Sequence, residues 1–196
     1  MIKLFSYRIT VKLNGIITWL IIIGSFINWL ECQMRKIAVI HPRFLKGGGV
    51  DRVIYELCRR LCSKYDISIF TTKTDFKPIA GVHVYQCGIR WGPSYENRVL
   101  WMNLFILLHQ GIFQNYDLLW IHSLPLVPQA LIIRRRFGIP ILLTFHGVRT
   151  IPDPRLILYR FIARSTFKKI NQIVGVSNYI VEEVKSYGVN AVRIYN

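Results

Sequence analysis

Residues 34–61 read MRKIAVIHPRFLKGGGVDRVIYELCRRL, and this stretch decides the fold class. Residues 37–40 form a short, uncharged apolar run that is typical of a buried parallel strand. Three glycines follow at 47–49. Beyond them, apolar side chains recur at the spacing of one helix face: Val53, Ile54, Leu57, Cys58 and Leu61. The stretch therefore predicts a strand, a glycine loop and a helix in succession.

The same alternation continues along the chain. Further strands are predicted at 67–71, 82–87, 117–121, 140–145, 172–176 and 191–195. Further helices are predicted at 95–113, 126–137, 154–169 and 178–187. Alternating strands and helices favour right-handed crossovers. The predicted fold class is therefore α/β, a Rossmann-like open parallel sheet with helices on both faces.

The composition narrows the class of partner. Of the 196 residues, 52% are hydrophobic, which excludes an intrinsically disordered protein and suffices for one sizeable core. The chain holds 26 Lys and Arg against 10 Asp and Glu, a formal net charge of +16. Such a basic protein favours an anionic partner, and the charge alone does not choose among phosphate, nucleic acid and acidic lipid.

Residues 1–33 form a hydrophobic amino-terminal extension. The run from Gly15 to Leu30 is uncharged. As a helix it would reach about 24 Å, short of the roughly 30 Å hydrocarbon core of a bilayer. Two interpretations stay open: an uncleaved membrane anchor with its basic end in the cytoplasm, or upstream sequence translated from a start codon placed too early. In the second case Met34 opens the domain, which spans 34–196.

The four cysteines, at positions 32, 58, 62 and 87, show neither zinc-ligand spacing nor a dense disulfide pattern. No zinc site is therefore expected. Cys58 and Cys62 lie four residues apart and are interpreted as small core residues on one helix face. Unpaired thiols fit a reduced, cytosolic compartment.

Small, polar and titratable residues follow the predicted strands. In an open parallel sheet the ligand crevice lies outside the carboxyl ends of the strands, so these residues are the candidates for a binding site. They are His41, the glycines 47–49, His122, Ser123, His146, Gly147, Ser177, Asn178 and Asn196.

The glycine loop precedes a predicted helix, where backbone N–H groups and the helix dipole can receive a phosphate. Three glycines also make an ordinary turn. The dinucleotide fingerprint fails because Arg52 stands where a third glycine is needed, and no Gly-Lys-Ser/Thr follows for an ATP loop. A phosphate loop of another kind and a plain turn both stay open.

His122 and His146 end two strands that are predicted to be neighbours. A neutral imidazole at this edge can hydrogen-bond a sugar hydroxyl or transfer a proton. The alternative interpretation is a polar strand end capped by water. Acidic residues are so few that a glycosidase with two carboxylates is not expected.

A family resemblance rests on an ordered set of motifs: Gly-Gly-Val-Asp-Arg-Val, Asp-Leu-Leu-Trp-Ile-His, Leu-Thr-Phe-His-Gly, Ile-Val-Gly-Val-Ser-Asn and Val-Arg-Ile-Tyr-Asn. From about Met34 to the last residue, the chain resembles the amino-terminal half of a family 4 glycosyltransferase of GT-B fold. The resemblance implies a retaining enzyme that transfers a sugar from a nucleotide-sugar donor to a glycan or lipid-linked acceptor, with no metal ion or other cofactor.

The resemblance also implies roles for individual residues. His146 would lie close to the transferred sugar as the catalytic residue. The glycine loop would approach the donor diphosphate and the acceptor. The implied substrate-binding residues are Gly47, Gly48, Gly49, His122, Ser177 and Asn196. Asp51 stands where relatives often carry Glu.

The chain departs from the family pattern at its carboxyl end. Family members continue into a second Rossmann-like domain that binds most of the nucleotide-sugar, whereas this chain ends at Asn196. Catalysis by positioning and electrostatics needs both walls of the crevice, so we expect little or no transferase activity from the chain alone. Three origins stay open: a truncated gene product, one subunit of a split enzyme with a separately encoded carboxy-terminal half, or a fragment.

Arg160, Arg164 and Lys168 recur every four residues along the helix predicted at 154–169. A basic amphipathic helix suits an anionic membrane surface, and the alternative is a solvated helix face. The expected localisation is the cytoplasm, with attachment to the cytoplasmic face of the membrane as a further hypothesis.

Two other functions remain as alternatives. A non-catalytic binding or regulatory subunit would keep the acceptor-side domain. A nucleic-acid-binding protein would suit the charge, but the basic residues accompany no helix-turn-helix, zinc-finger or RNA-recognition signature. Nucleic acid is therefore not an expected partner.

Overall fold

The computed structural model describes residues 34–88, 94–146 and 164–194. The strands in these ranges are β1 (Lys36–Ile40), β2 (Asp66–Thr71), β3 (Val82–Gln86), β4 (Leu118–Ile121), β5 (Ile141–Phe145), β6 (Gln172–Gly175) and β7 (Val192–Arg193). The α-helices are α1 (Gly49–Leu61), α2 (Tyr95–Leu108), α3 (Val127–Phe137) and α4 (Asn178–Ser186). Residues 164–167 are also helical. Predictions for residues 1–33, Arg160 and Asn196 lie outside the described residues, as does most of the helix predicted at 154–169.

The strands form one sheet in the order β3-β2-β1-β4-β5-β6-β7. Every described pairing is parallel, so each connection must cross back over a face of the sheet. The chain adds strands in one direction from β1 to β3 and in the other direction from β4 to β7. This topology confirms the α/β class and the Rossmann-like open parallel sheet. It places the topological switch point between β1 and β4, where ligand crevices form in such sheets.

The central strand β1 is buried on both faces, which explains its uninterrupted apolar sequence. Ile37 and Val39 face the smaller core, which α1 covers. Ala38 and Ile40 face the larger core, which α2, α3 and α4 cover. Alternate residues of one strand therefore hold helices on opposite faces of the sheet.

One helix boundary differs from the sequence prediction. The helix expected over 95–113 ends at Leu108 and is followed by a 3-10 helix, Gln110–Asn115. His109 leaves the helical conformation, with φ −117° and ψ 32°. Gly111 favours this early end, since glycine costs about 1 kcal/mol relative to alanine in a helix interior. A second 3-10 turn, Leu124–Leu126, leads into α3.

The described cysteines are free thiols. Cys58 lies on the buried side of α1, as predicted, whereas Cys62 at the carboxyl end of that helix is only half-buried. Burial raises the pKa of Cys58 and of Cys87 to about 12. Both thiols therefore stay protonated at neutral pH and act as packing groups. No helix within the described ranges is long and apolar enough to cross a membrane.

Strand β6 and helix α4 approach each other closely at Gly175. A Cβ atom added to Gly175 would lie 2.8 Å from Cγ2 of Val181 and 3.2 Å from Cγ2 of Ile180. Both of these side chains are buried, so neither moves without disturbing its neighbours. A glycine at this position lets α4 pack directly on the end of β6.

We expect Gly175→Ala to lower the free energy of unfolding by about 1–3 kcal/mol, the usual effect of overpacking a dense core. Gly111→Ala is the matched control, because a Cβ atom at Gly111 meets nothing within 4 Å. Urea denaturation of the two variants measures the difference. Equal, small changes in both would contradict the close approach of β6 and α4.

Candidate functional site

Three histidines follow three adjacent strands. His41 comes directly after β1, His122 after β4 and His146 after β5. The sheet pairs β1 with β4 and β4 with β5, which confirms the prediction that β4 and β5 are neighbours. The three side chains therefore gather at the carboxyl edge of the sheet, beside the switch point.

His122 lies between the other two rings. Its Nδ1 is 3.3 Å from Nε2 of His146, and the two rings stack with centroids 5.6 Å apart. The ring of His41 meets it edge-on, with centroids 6.1 Å apart. His122 is only 5% exposed, whereas His146 is half-buried. His146 is thus the ring that can touch a ligand, and His122 holds it in place.

Trp120 and Thr144 support these two rings from within the sheet. Nε1 of Trp120 donates a hydrogen bond to Oγ1 of Thr144 at 2.8 Å, and the Trp120 ring lies 4.8 Å from that of His122. Sequence reasoning missed this pair. The spacing could have indicated it. Each residue lies two positions before a histidine, so its side chain points to the same face of the sheet as that histidine.

His41 pairs with Asp51. Nε2 of His41 lies 2.8 Å from Oδ1 of Asp51, and the two residues are 5% and 1% exposed. The contact ties the first turn of α1 to the end of β1. The sequence identified Asp51 only as a residue that replaces Glu. Its position in the first turn of a helix that starts at the sheet edge could have marked it as a site residue.

The glycine loop opens α1, with Gly48 as its N-cap. The first N–H groups of a helix have no partner within the helix, so they are free to meet an anion. A Cβ atom at Gly48 would lie 2.1 Å from Oδ2 of Asp51. Cβ atoms at Gly47 and Gly49 would meet nothing within 4 Å. The open space for a ligand therefore lies beside Gly47 and Gly49, and the Asp51 carboxylate fills the space beside Gly48.

Burial keeps two of the histidines neutral. It lowers the pKa of His122 well below the ordinary 6.5, and the neighbouring imidazoles of His41 and His146 lower it further. Burial and the proximity of His41 lower the pKa of His146 to about 4, against a smaller raising effect from Asp51. At neutral pH His146 therefore offers a ligand a hydrogen bond and not a positive charge.

Ser177 lies at the end of β6 and caps α4. Its Oγ accepts a hydrogen bond from the N–H of Ile180 at 3.3 Å, a role that a serine just before a predicted helix signals in the sequence. Ser123, after β4, pairs its Oγ with the hydroxyl of Tyr95 at 2.9 Å. The catalytic and substrate-binding roles drawn from the sequence stay predictions, and Asn196 lies outside the described residues.

The described part of the chain contains no group of three or more His, Cys, Asp and Glu side chains arranged to hold a metal ion. What it offers a ligand is a neutral imidazole, an open glycine loop and the amide groups of a helix start.

The sequence profile of Glycosyltransferase Family 4 matches residues 47–196, which is most of the chain. The chain belongs to glycosyltransferase family 4. Comparison with curated protein sequences gives no match.

Solved structures share the fold of this family 4 domain. Sucrose-phosphate synthase from Thermosynechococcus elongatus superimposes with a TM-score of 0.61 at 14% identity, over 82% of this chain and 47% of that chain. A glycosyltransferase from Rickettsia africae ESF-5 gives a TM-score of 0.58 at 18% identity, over 84% and 43%. Anabaena Alr3699/HepE, solved with UDP and glucose, gives 0.56 at 11% identity, over 83% and 44%.

These identities are low, so the similarity shows the fold alone. The chain has the fold of one half of a GT-B glycosyltransferase, as the sequence predicted. It spans about half the length of the three solved proteins, between 43% and 47%.

The buried neutral histidines make the stability of this family 4 domain depend on pH. In the unfolded chain His122 and His146 bind protons near pH 6.5. In the folded chain both bind protons only at lower pH, and for His146 the pKa is about 4. Stability is therefore full above pH 6.5. It is lost as the pH falls towards 4, by up to about 1.4 kcal/mol per pH unit for each group.

We expect the unfolding free energy of His122→Phe to fall less steeply between pH 6.5 and 4.5 than that of the wild-type chain, because one buried titrating group is gone. The matched control is His83→Gln, an exposed histidine of β3, which should follow the wild-type slope. Urea titrations at four pH values measure the slopes. A His122→Phe slope equal to the wild-type slope would show that burial of this ring does not control the acid response.

Proposed function

We propose that this domain is the acceptor-side half of a retaining glycosyltransferase that moves a sugar from a nucleotide-sugar to a glycan or lipid-linked acceptor. Membership of family 4 supports a nucleotide-sugar donor and a sugar acceptor as substrates. The observation that carries the proposal is the position of His146, a half-buried neutral imidazole at the carboxyl edge of the sheet, in contact with His122.

His146 suits a sugar better than an anion. A neutral ring nitrogen forms a directed hydrogen bond with a hydroxyl group, and such bonds position a substrate when the supporting ring cannot turn. His122 restrains His146 through the 3.3 Å contact, and Trp120 packs against His122 from the other side. In this arrangement His146 contacts the transferred sugar and His122 is a positioning residue.

The glycine loop suits the diphosphate of the donor. Gly47 and Gly49 leave open space, and the amide groups at the start of α1 provide hydrogen-bond donors for phosphate oxygens. The chain covers between 43% and 47% of the three solved structures described above. We infer that this domain supplies one wall of the crevice and that a second domain, on the same or a separate polypeptide, supplies the other.

A sugar-transfer assay tests the proposal. The 196-residue chain alone should show little or no transfer, because one wall cannot enclose a nucleotide-sugar and exclude water. Addition of a separately produced carboxy-terminal half should restore transfer. Robust transfer by the chain alone would contradict the two-wall model, and a restored complex that binds acceptor without transfer would favour a non-catalytic subunit.

In the restored enzyme, we expect His146→Ala to lower kcat/KM by about 100-fold, the scale at which loss of one positioned catalytic side chain acts. His109→Ala is the matched control, since His109 is exposed just after the end of α2 and stacks on the ring of Phe105. Equal activity of the two variants would remove His146 from the catalytic site.

We also propose that the domain attaches to the cytoplasmic face of an anionic membrane. The sequence places Arg164 and Lys168 on a basic helix, and both are exposed. Helix α2 and the 3-10 helix after it add an apolar surface, here called the leucine row: Leu100, Leu104, Leu107, Leu108 and Ile112, all exposed. Within the helix, positions 100, 104, 107 and 108 share one face. Leu108 is 69% exposed, an unusual state for a leucine in a packed domain.

Basic side chains continue from the leucine row. Arg136 of α3 donates a hydrogen bond to Oε1 of Gln110, which follows the end of α2. Arg134 donates to the carbonyl oxygen of Lys169. Between them, a cleft of about 480 Å³ is lined by Leu131, Ile132, Arg134, Arg135 and Lys169. An apolar row with a basic rim complements the apolar interior and anionic headgroups of a bilayer.

We expect the chain to co-sediment with vesicles that contain anionic lipid, and to dissociate as salt is raised. Leu104→Asp/Leu108→Asp should abolish most binding, and Arg135→Gln/Arg136→Gln should weaken it at least tenfold, since each charge near the surface is worth about 1 kcal/mol. The control is Tyr179→Asp, on the exposed side of α4. Binding that is equal on neutral vesicles and indifferent to salt would contradict this proposal.

A further inference from the structure

Two ring nitrogens in the histidine cluster are buried without a hydrogen-bond partner among the described residues. They are Nδ1 of His41 and Nε2 of His122. Buried polar atoms almost always find a partner, and these two belong to rings that meet edge-on at 6.1 Å. A single water placed between the rings would give both nitrogens a partner, and a buried water needs at least two polar partners.

The Asp51 carboxylate fixes the position of the ring hydrogen of His41. An ionised carboxylate only accepts hydrogen bonds, so Nε2 of His41 must donate across the 2.8 Å contact. In the neutral ring, Nδ1 of His41 is then an acceptor. Asp51 therefore decides which nitrogen of His41 carries the hydrogen.

His122 and His146 share one hydrogen across their 3.3 Å contact, and two arrangements are geometrically open. If Nδ1 of His122 donates, its Nε2 is an acceptor, and a water between the rings would have to donate one hydrogen to each of the two buried lone pairs. If Nε2 of His146 donates instead, Nε2 of His122 carries a hydrogen that points towards His41. In the second arrangement the N–H dipoles all point towards the negative charge of Asp51, and aligned hydrogen bonds strengthen one another.

We propose that Asp51 sets the tautomers of all three histidines, with the hydrogen on Nε2 of each ring and the unprotonated Nδ1 of His146 presented to the crevice. The hydrogen bonds run from His146 to His122, through one water to His41, and from His41 to Asp51. Asp51, His41 and His122 are positioning residues, because they act on a ligand only through His146.

The tautomer determines what His146 can bind. An unprotonated Nδ1 accepts a hydrogen bond, so it selects a hydroxyl or amide hydrogen of the ligand and disfavours a carbonyl or phosphate oxygen. Its bearing on sugar binding rests on the proposed function. The tautomer itself is a property of the domain without substrate, so its test and the transfer assay can fail independently.

The test is a long-range ¹H–¹⁵N correlation spectrum of the full chain, labelled with ¹⁵N-histidine, at neutral pH and without substrate. This spectrum separates protonated from unprotonated ring nitrogens, and single-histidine variants assign the signals. The expected result is a protonated Nε2 and an unprotonated Nδ1 at His41, His122 and His146. A protonated Nδ1 at His146 in the wild-type chain would overturn the proposal without any variant.

Two variants and their controls test the role of Asp51. Asp51→Asn offers His41 either an oxygen or an NH₂ group, so His146 should lose its single tautomer. Asp75→Asn is the control, a carboxylate of the same loop region whose Oδ1 accepts from the N–H of Lys46 at 2.7 Å. Asp51→Glu keeps a carboxylate and should keep the wild-type tautomer. An unchanged His146 spectrum in Asp51→Asn would overturn the role of Asp51.

Gly48→Ala tests the same contact by a different route. The new Cβ atom would lie 2.1 Å from Oδ2 of Asp51, so the carboxylate must move and His146 should lose its single tautomer. Gly47→Ala, where the Cβ meets nothing within 4 Å, should leave the spectrum unchanged. If both variants retain the wild-type spectrum of His146, the contact between Asp51 and His41 does not set the tautomer.

Discussion

Parallel hydrogen bonding on both sides of β1 is the constraint on which the rest of the structure depends. Residues 36–40 pair with β2, and residues 37–40 also pair with β4. A strand held from both sides must be apolar on both faces, and its parallel neighbours must be reached by crossovers. These crossovers place α1 over one face and α2 over the other. The chain reverses direction along the sheet at this strand, so the crevice opens at its carboxyl end, where His41 stands.

The side chains of the histidine cluster differ in character from the overall charge of the protein. The chain carries a net +16, yet the crevice edge holds buried imidazoles, two of them kept neutral by desolvation, and the Asp51 carboxylate. Desolvation makes hydrogen bonds in the site stronger and more directional than they would be in water. The basic residues at the end of α3 carry the proposed attachment to an anionic membrane surface.

The proposed function needs more than this domain alone. In the proposed function the histidine cluster and the glycine loop form one side of a crevice, and a crevice with one side cannot exclude water from a reacting sugar. The solved proteins that share the fold are about twice as long in each case. The proposed catalytic role of His146 therefore depends on a second domain that faces it, whereas the internal order of the cluster depends only on contacts within this one.

The amino-acid sequence by itself determined the class of fold, because buried parallel strands and amphipathic helices each leave a local period in apolar residues. It also placed His122 and His146 on neighbouring strands, and its ordered motifs identified the family. The sequence did not indicate that α2 would end at Leu108 with an exposed row of leucines, since a helix rich in leucine looks buried from its composition. Nor did it reveal the pairing of His41 with Asp51, or the support that Trp120 and Thr144 give to the cluster. Those contacts join residues from different elements, and the tertiary structure alone decides which side chains the sheet and the first turn of α1 bring within hydrogen-bonding distance.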